Sequence, residues 1–293
     1  MTQRGVAELV EREFLLEDAR DPLRTVRGRI SLPAGAERER RLPFVIVLHG
    51  FKGFMDWGFF PELARRLAAS GLAVVRFNFS GSGHGPRPLE LTEPRAFFEN
   101  TPSREIEDVE RVRAWLDTGS VPEIDTRRGA LLGHSLGGAV ALIHAARRAD
   151  YRALVGWASC ATFRRFAPEV EALWRRQGYV EIPNLRTKEV HRLGLGWLED
   201  VERNAPALEV AAACRRLATP TLFLHGSDDE AVPLHEGESL ERAFAPGVAH
   251  LEVVPHASHT FGAAHPLERV PRALEGVLQH TCAFLSRALG IGS

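Results

Sequence analysis

Ser135 lies in the run Gly133-His134-Ser135-Leu136-Gly137-Gly138, where a side chain of this 293-residue chain is best placed to attack a carbonyl. A bare G-x-S-x-G is a weak sign alone. Here it follows the apolar Ala130–Leu132 and opens Ala139-Val-Ala-Leu-Ile-His144, so the serine falls on a strand–turn–helix junction. A turn that tight has no room for side chains at Gly133 and Gly137. It pushes the Ser135 hydroxyl out at a helix N-terminus, where partial positive charge favours an alkoxide and a later oxyanion. His49-Gly50-Phe51 ends a second apolar run and enters a loop. The backbone N–H groups of Phe51 and Leu136 are therefore the candidate oxyanion donors, and His49 is expected to hold the loop.

A nucleophilic serine needs a base, and the base needs an acid that fixes its tautomer and stabilises the imidazolium. Three acids, Asp228, Asp229 and Glu230, follow the apolar Thr221–Leu224. Of the twelve histidines, His235, His250, His256, His259, His265 and His280 come after them, as the order serine, acid, histidine requires. His256 and His259 share a loop beyond Leu251–Val254, whereas His235 and His280 sit in helix-like segments and read as solvated faces. On the residues alone Asp228 rivals Asp229, and His256 rivals His259. His84 and His134 are expected to shape the cleft. The glycines of Ser80–Gly85 do not complete a dinucleotide fingerprint, because Pro86 takes the third glycine position. No His/Cys/Asp cluster has metal-ligand spacing. Neither a cofactor nor a metal is expected.

The elements that must carry these residues alternate along the chain. Glu11–Leu16 and Arg24–Leu32 read as strands, then Phe44–Leu48 as a strand buried on both faces, Pro61–Ser70 as a helix and Leu72–Phe79 as a strand. Ser103–Leu116 has one apolar face (Ile106, Val109, Val112, Leu116) and Ser103 at its start, predicting a helix. Ala130–Leu132, Ala153–Trp157, Thr221–Leu224 and Leu251–Val254 are further strands, Ser135–Arg148 a helix and Leu267–Leu289 a terminal helix. This alternation predicts a mostly parallel, doubly wound α/β sheet of about eight strands, the N-terminal ones antiparallel, in a single domain over 1–293. Between Cys160 and Leu208 the chain is much longer than one crossover helix needs. Glu169–Arg176 looks helical, and Tyr179–Ile182 with Leu185–Val190 suggests a hairpin about Pro183-Asn184. A small cap at about 160–207 is the expectation.

Composition removes several classes of function. Hydrophobic residues make up 44% and charged residues 26%, as in an ordinary globular protein, and the net charge of -1 offers no footprint for nucleic acid. Lys52 and Lys188 are the only lysines, an arginine bias read as a GC-rich coding sequence. No apolar run approaches the ~20 residues of a membrane-spanning helix. Cys160, Cys214 and Cys282 are widely spaced and odd in number, like buried thiols in a reducing compartment. A cytoplasmic location is expected. Nothing in the sequence fixes oligomeric state, and a homodimer is left open.

His49-Gly50-Phe51, Gly133–Gly138, His225–Pro233 and His256–Phe261 resemble, in order, the motifs of the α/β-hydrolase superfamily, over roughly Leu9 to Leu289. Within it the chain is similar to cinnamoyl/feruloyl esterase-like and serine aminopeptidase-like hydrolases, which share the H-G-F loop, a short cap and an ending like His259-Thr-Phe261. That family's pattern G-x-x-D-x-x-V-P is met by Gly226, Asp229, Val232 and Pro233, and its base falls at His259. The resemblance implies a serine hydrolase with Ser135 as nucleophile, His259 as base and Asp229 as orienting acid, acting without a cofactor on a small-molecule ester. The expected class is a carboxylesterase for aromatic, hydroxycinnamoyl or short-to-medium acyl esters. Of Phe51, Phe54, Trp57, Phe59 and Phe60, with Trp174 and Tyr179 from the cap, most are expected to be core or helix packing and a few to line an apolar acyl or aryl pocket. Peptidase and thioesterase readings stay open, with Glu169, Glu171 and Glu181 as unranked sites for a charged amino terminus. A non-catalytic binding protein is the remote alternative, since such proteins usually lack a triad member.

Overall fold

The computed structural model describes residues 9–36, 41–87, 89–184 and 189–291. Strands β1 (Leu9–Leu16) and β2 (Val26–Pro33) lead into the buried β3 (Leu42–Leu48), helix α1 (Phe60–Ala69) and strand β4 (Ala73–Asn78). The short α2 (Pro94–Phe98) and long α3 (Pro102–Asp117) follow, then β5 (Ile124–His134), α4 (Leu136–Arg148) and β6 (Ala153–Trp157). Next come α5 (Pro168–Gln177), β7 (Tyr179–Asn184), β8 (Glu189–Gly194), α6 (Gly196–Arg203) and α7 (Val210–Arg216). The chain closes with β9 (Thr221–Gly226), α8 (Leu234–Ala243), β10 (Ala249–Val254) and α9 (Arg272–Ala288).

Eight strands form one sheet in the order β1-β2-β4-β3-β5-β6-β9-β10. β1 and β2 run antiparallel, β2 runs antiparallel to β4, and every later pairing is parallel. Parallel strands must be covered on both faces, and the alternation of side chains does this here. Phe44, Ile46 and Leu48 of β3 point into a core shared with α3, α4 and α7, while Val45 and Val47 point into one shared with α1 and α9. β5 divides in the same way, Leu131 to the first layer and Ala130 and Leu132 to the second. Because the parallel strands share a direction, the loops leaving β3, β5, β6, β9 and β10 gather along one edge, where ligands of open α/β sheets bind.

Several boundaries differ from the sequence reading, each for a local reason. Helix α3 is capped by Thr101, whose hydroxyl accepts from Arg104 N–H at 3.2 Å with Pro102 in the first turn. Ser103 instead gives its backbone N–H to Asp200 of α6 at 2.9 Å. The terminal helix starts at Arg272, not Leu267, because Pro271 biases Val270 away from helical backbone and itself takes extended geometry. Pro183 and Asn184 lie inside β7, paired with Val190 and Glu189, so they are not the hairpin turn. Leu185 to Lys188, the first part of the expected second strand, falls outside the described residues. Between β6 and α7 the chain folds as α5, the β7–β8 hairpin and α6. Helices α2 and α6 had no signal in the sequence reading. Gly194 of β8 lies so close to α2 that a Cβ there would stand 2.6 Å from the Phe98 carbonyl oxygen.

Leu132, with no exposed surface in β5, supports the turn that follows it. Leu132→Ala is expected to cost about 2–5 kcal/mol of unfolding free energy, measured by urea denaturation.

Candidate active site

The turn between β5 and α4 is built on missing side chains. A Cβ on Gly137 would stand 2.5 Å from the His49 carbonyl oxygen and 2.6 Å from that of Leu48. One on Gly133 would stand 2.2 Å from the Gly137 carbonyl oxygen. With those glycines the helix start lies directly against the end of β3, and Ser135 is forced to φ 58 and ψ -121. That backbone is unfavourable for any residue with a side chain and is held from both sides. Ser135 N–H donates to the Trp157 carbonyl at 2.8 Å, and Cys160 N–H donates to the Ser135 carbonyl at 3.1 Å. Trp157 is anchored in turn by its indole N–H on Thr281 of α9 at 3.0 Å.

The loop after β3 is held by His49. Its Nδ1–H donates to the Gly50 carbonyl at 2.9 Å, and its Nε2 accepts from Phe79 N–H at 3.2 Å, which fixes one neutral tautomer. Burial pushes the His49 pKa down to about 3, consistent with a neutral ring that orders backbone and carries no charge. The Gly53 N–H on the Gly50 carbonyl (2.9 Å) and the Met55 N–H on Asn78 Oδ1 (2.7 Å) complete the turn. Gly50 packs against Ser135, where an added Cβ would stand 2.9 Å from the serine Cβ. Among the described residues, the N–H groups of Phe51 and Leu136 donate to no protein acceptor.

The rival acids and bases separate by depth. Asp229 is buried, and its Oδ2 accepts from His259 Nδ1 at 2.8 Å. Its Oδ1 accepts from the N–H groups of Ala231 (2.9 Å) and Val232 (2.8 Å), and His225 Nε2 lies 3.4 Å from Oδ2. Burial acts to raise the Asp229 pKa, but the hydrogen bonds from His225, His259 and Val232 outweigh it and hold the carboxyl well below the usual range. Asp228, by contrast, points to solvent, bonded to Ser227 and 3.6 Å from His256, whose side chain is 91% exposed. His235 is exposed, and the exposed His280 pairs with Glu252. Both rivals thus meet each other on the surface, and Asp229 with His259 faces inward.

Ser135 and His259 line one cavity of about 280 Å³, together with Gly50, Phe51, Lys52, Gly53, Trp57, Phe60, His134, Asn184 and Thr260. Larger hollows elsewhere, such as one of about 500 Å³ between β10 and α9, bring no serine and histidine together. In the cavity Ser135 Oγ lies 3.8 Å from Cys160 Sγ. Burial pushes the Cys160 pKa up to about 12, so its thiol stays protonated and is no rival nucleophile. His134 ties the two loops together, its Nε2–H donating to the His259 carbonyl at 3.0 Å. Of the aromatics expected near the site, Phe51, Trp57 and Phe60 line the cavity, while Phe54, Phe59 and Trp174 are core. His84 is buried against Phe54 and is not in the wall.

The sequence reading did not single out Lys52, Asn184 and Thr260 as wall residues, or His225 as a partner of Asp229. His225 stands four residues before Asp229 within the quoted motif, a spacing that could have suggested it. Asn184 reaches the wall only through the tertiary placement of the β7–β8 hairpin, for which no local signal exists.

His134 yields a pH prediction. Burial, reinforced by the neighbouring His259, pushes its pKa down from 6.5 to about 3. The unfolded chain therefore binds a proton there that the folded chain does not, and stability present above pH 6.5 is lost as pH falls toward 3. His134→Gln should flatten the fall in unfolding free energy over that window by up to about 1.4 kcal/mol per pH unit, measured by urea unfolding at several pH values.

Known proteins share this frame. The model of the alpha/beta hydrolase family matches residues 45–273. An uncharacterized peptidase, YuxL of Bacillus subtilis, is 27% identical over 254 residues, covering 84% of this chain. The chain spans only 35% of that relative's length. Among solved structures, Est1E from Butyrivibrio proteoclasticus superposes with a TM-score of 0.68 at 17% identity, covering 95% of this chain and 99% of its own. Est1E is also solved with ferulic acid bound. The esterase domain of a Rhodothermus marinus protein gives a TM-score of 0.64 at 19% identity, covering 96% of this chain and all of its own. With the family's model spanning strands, elbow and C-terminal loops alike, this chain belongs to the alpha/beta hydrolase family.

Proposed function

We propose that this hydrolase cleaves carboxylic esters through an acyl-enzyme on Ser135. The observation that carries the reading is one cavity holding both the Ser135 hydroxyl and His259, with His259 Nδ1 on the buried Asp229 at 2.8 Å. Attack requires Ser135 Oγ to leave Cys160 and engage His259 Nε2, which takes the hydroxyl proton as Oγ bonds to the carbonyl carbon. The carbonyl electrons move to oxygen, and the N–H groups of Phe51 and Leu136 receive the oxyanion. Collapse expels the alcohol with the proton from His259. A water then attacks the acyl-enzyme with His259 as base, and the acid leaves. Asp229, kept ionised, balances the imidazolium at each stage.

Flat apolar walls from Phe51, Trp57 and Phe60 suit a small or aryl acyl group, and the likeness to a fold that holds ferulic acid in Est1E agrees with that choice. An aminopeptidase would need a carboxylate for the substrate's amino terminus, and none lines the cavity among the described residues. Glu171 is engaged by Arg164 at 2.8 Å, Glu181 lies 3.6 Å from Arg192, and Glu169 is exposed at the start of α5. The three unpaired thiols suit a reducing compartment such as the cytoplasm. Among the described residues no helix is long and apolar enough to cross a membrane.

Ser135→Ala should lower kcat/KM for p-nitrophenyl and hydroxycinnamoyl esters at least about 10⁴-fold with an unchanged circular dichroism spectrum. Retained ester turnover, or cleavage of aminoacyl-arylamides with no ester cleavage by the parent protein, would overturn the reading.

A further inference from the structure

Lys52 follows the candidate oxyanion donor Phe51 and sits in the wall of the Ser135 cavity. It is the only lysine or arginine among the described lining residues, and no aspartate or glutamate joins it there. Its backbone has φ 61, a conformation that glycine takes freely and a residue with a Cβ takes only at a cost. A side chain is thus kept where the backbone would favour none. Its Nζ donates to the Pro183 carbonyl at 3.3 Å, which brings the ammonium beside Asn184 at the hairpin end of the cavity.

The ammonium has three donors, and a neutral carbonyl uses one. Among the described residues Lys52 takes part in no ion pair, although the arginines around the molecule are extensively paired with carboxylates. Burial lowers its pKa, and no neighbouring carboxylate offsets that effect. The residue remains exposed at the cavity rim, so its unpaired ammonium is open to an anionic ligand that enters there. The ligand should carry one diffuse charge. A phosphate group is usually met by several converging donors or a guanidinium fork, and no arginine lines this cavity.

We propose that the substrate is an acidic ester whose free carboxylate pairs with Lys52 while its ester carbonyl meets Ser135, with half-esters of dicarboxylic acids as the simplest members. This names the substrate class of the esterase reading above and rests on it. Lys52 is then the residue that determines specificity.

The test is a matched pair of ligands, monomethyl glutarate and dimethyl glutarate, titrated into Ser135→Ala protein and followed by tryptophan fluorescence, since Trp57 is in the wall. At low ionic strength the half-ester should bind about three- to tenfold tighter than the diester, and added salt should shrink the difference. Adding Lys52→Gly removes the ammonium and relieves the positive φ, so the loop is expected to fold, and the ratio should fall to about one. Lys52→Arg should restore it. Equal or undetectable binding of the two ligands, or a preference that survives Lys52→Gly, overturns the proposal. The readout needs no turnover. If the parent protein hydrolyses neither ester while the binding preference stands, the esterase reading fails and the carboxylate site remains.

Discussion

No carbon can be added to Gly137 without pushing the end of β3 away from the start of α4. That backbone-to-backbone contact, with the carbonyl oxygens of Leu48 and His49 2.5–2.6 Å from where a Cβ would be, is what the rest of the site depends on. It sets the distance between the β3 loop and the β5–α4 turn, and so brings Gly50 and Phe51 into the wall of the cavity that Ser135 lines. A two-layer core is needed to keep it closed. α1 and α9 press on one face of β3 and β5 and α3, α4 and α7 on the other, so a shift of either strand would disturb both layers.

Strain collects in the loops around the candidate site. Of the six non-glycine residues with positive φ among the described residues, Lys52, Ser135, Ala158, His256 and Phe261 lie in loops leaving the C-terminal ends of parallel strands, and Ala149 is at a helix end. Backbone of this kind persists where surrounding contacts over-determine it. Here those contacts are the hydrogen bonds of His49, Trp157 and His134, none of which needs a charged side chain. His49 and His134 are instead held neutral by burial. Charge around the cavity is left to Asp229, which is bonded to His259, and to Lys52, which takes part in no ion pair among the described residues.

The doubly buried strands were legible because runs such as Phe44–Leu48 have no polar face to offer solvent, and the elbow because its glycines report a steric need directly. Spacing alone left Asp228 beside Asp229 and His256 beside His259. What separates them is depth, which neighbouring positions in one loop do not encode; the exposed pair Asp228–His256 and the inward pair Asp229–His259 come from opposite faces of the same two loops. The start of α9 was misplaced because helical spacing before Pro271 was read without the conformational bias a proline imposes on its predecessor. Lys52 and Asn184 were not legible as wall residues, since they meet through a hairpin more than a hundred positions further along the chain, at a separation of 131 between Lys52 and Pro183.

On the proposed esterase mechanism, the constrained turn makes one serine of this chain a nucleophile served by His259. Intact-mass spectrometry after treatment with a fluorophosphonate, followed by peptide mapping, addresses it most directly. A single stoichiometric adduct on Ser135, formed far more slowly in His259→Gln protein, is the predicted result. No adduct, or an adduct at another residue, would contradict it.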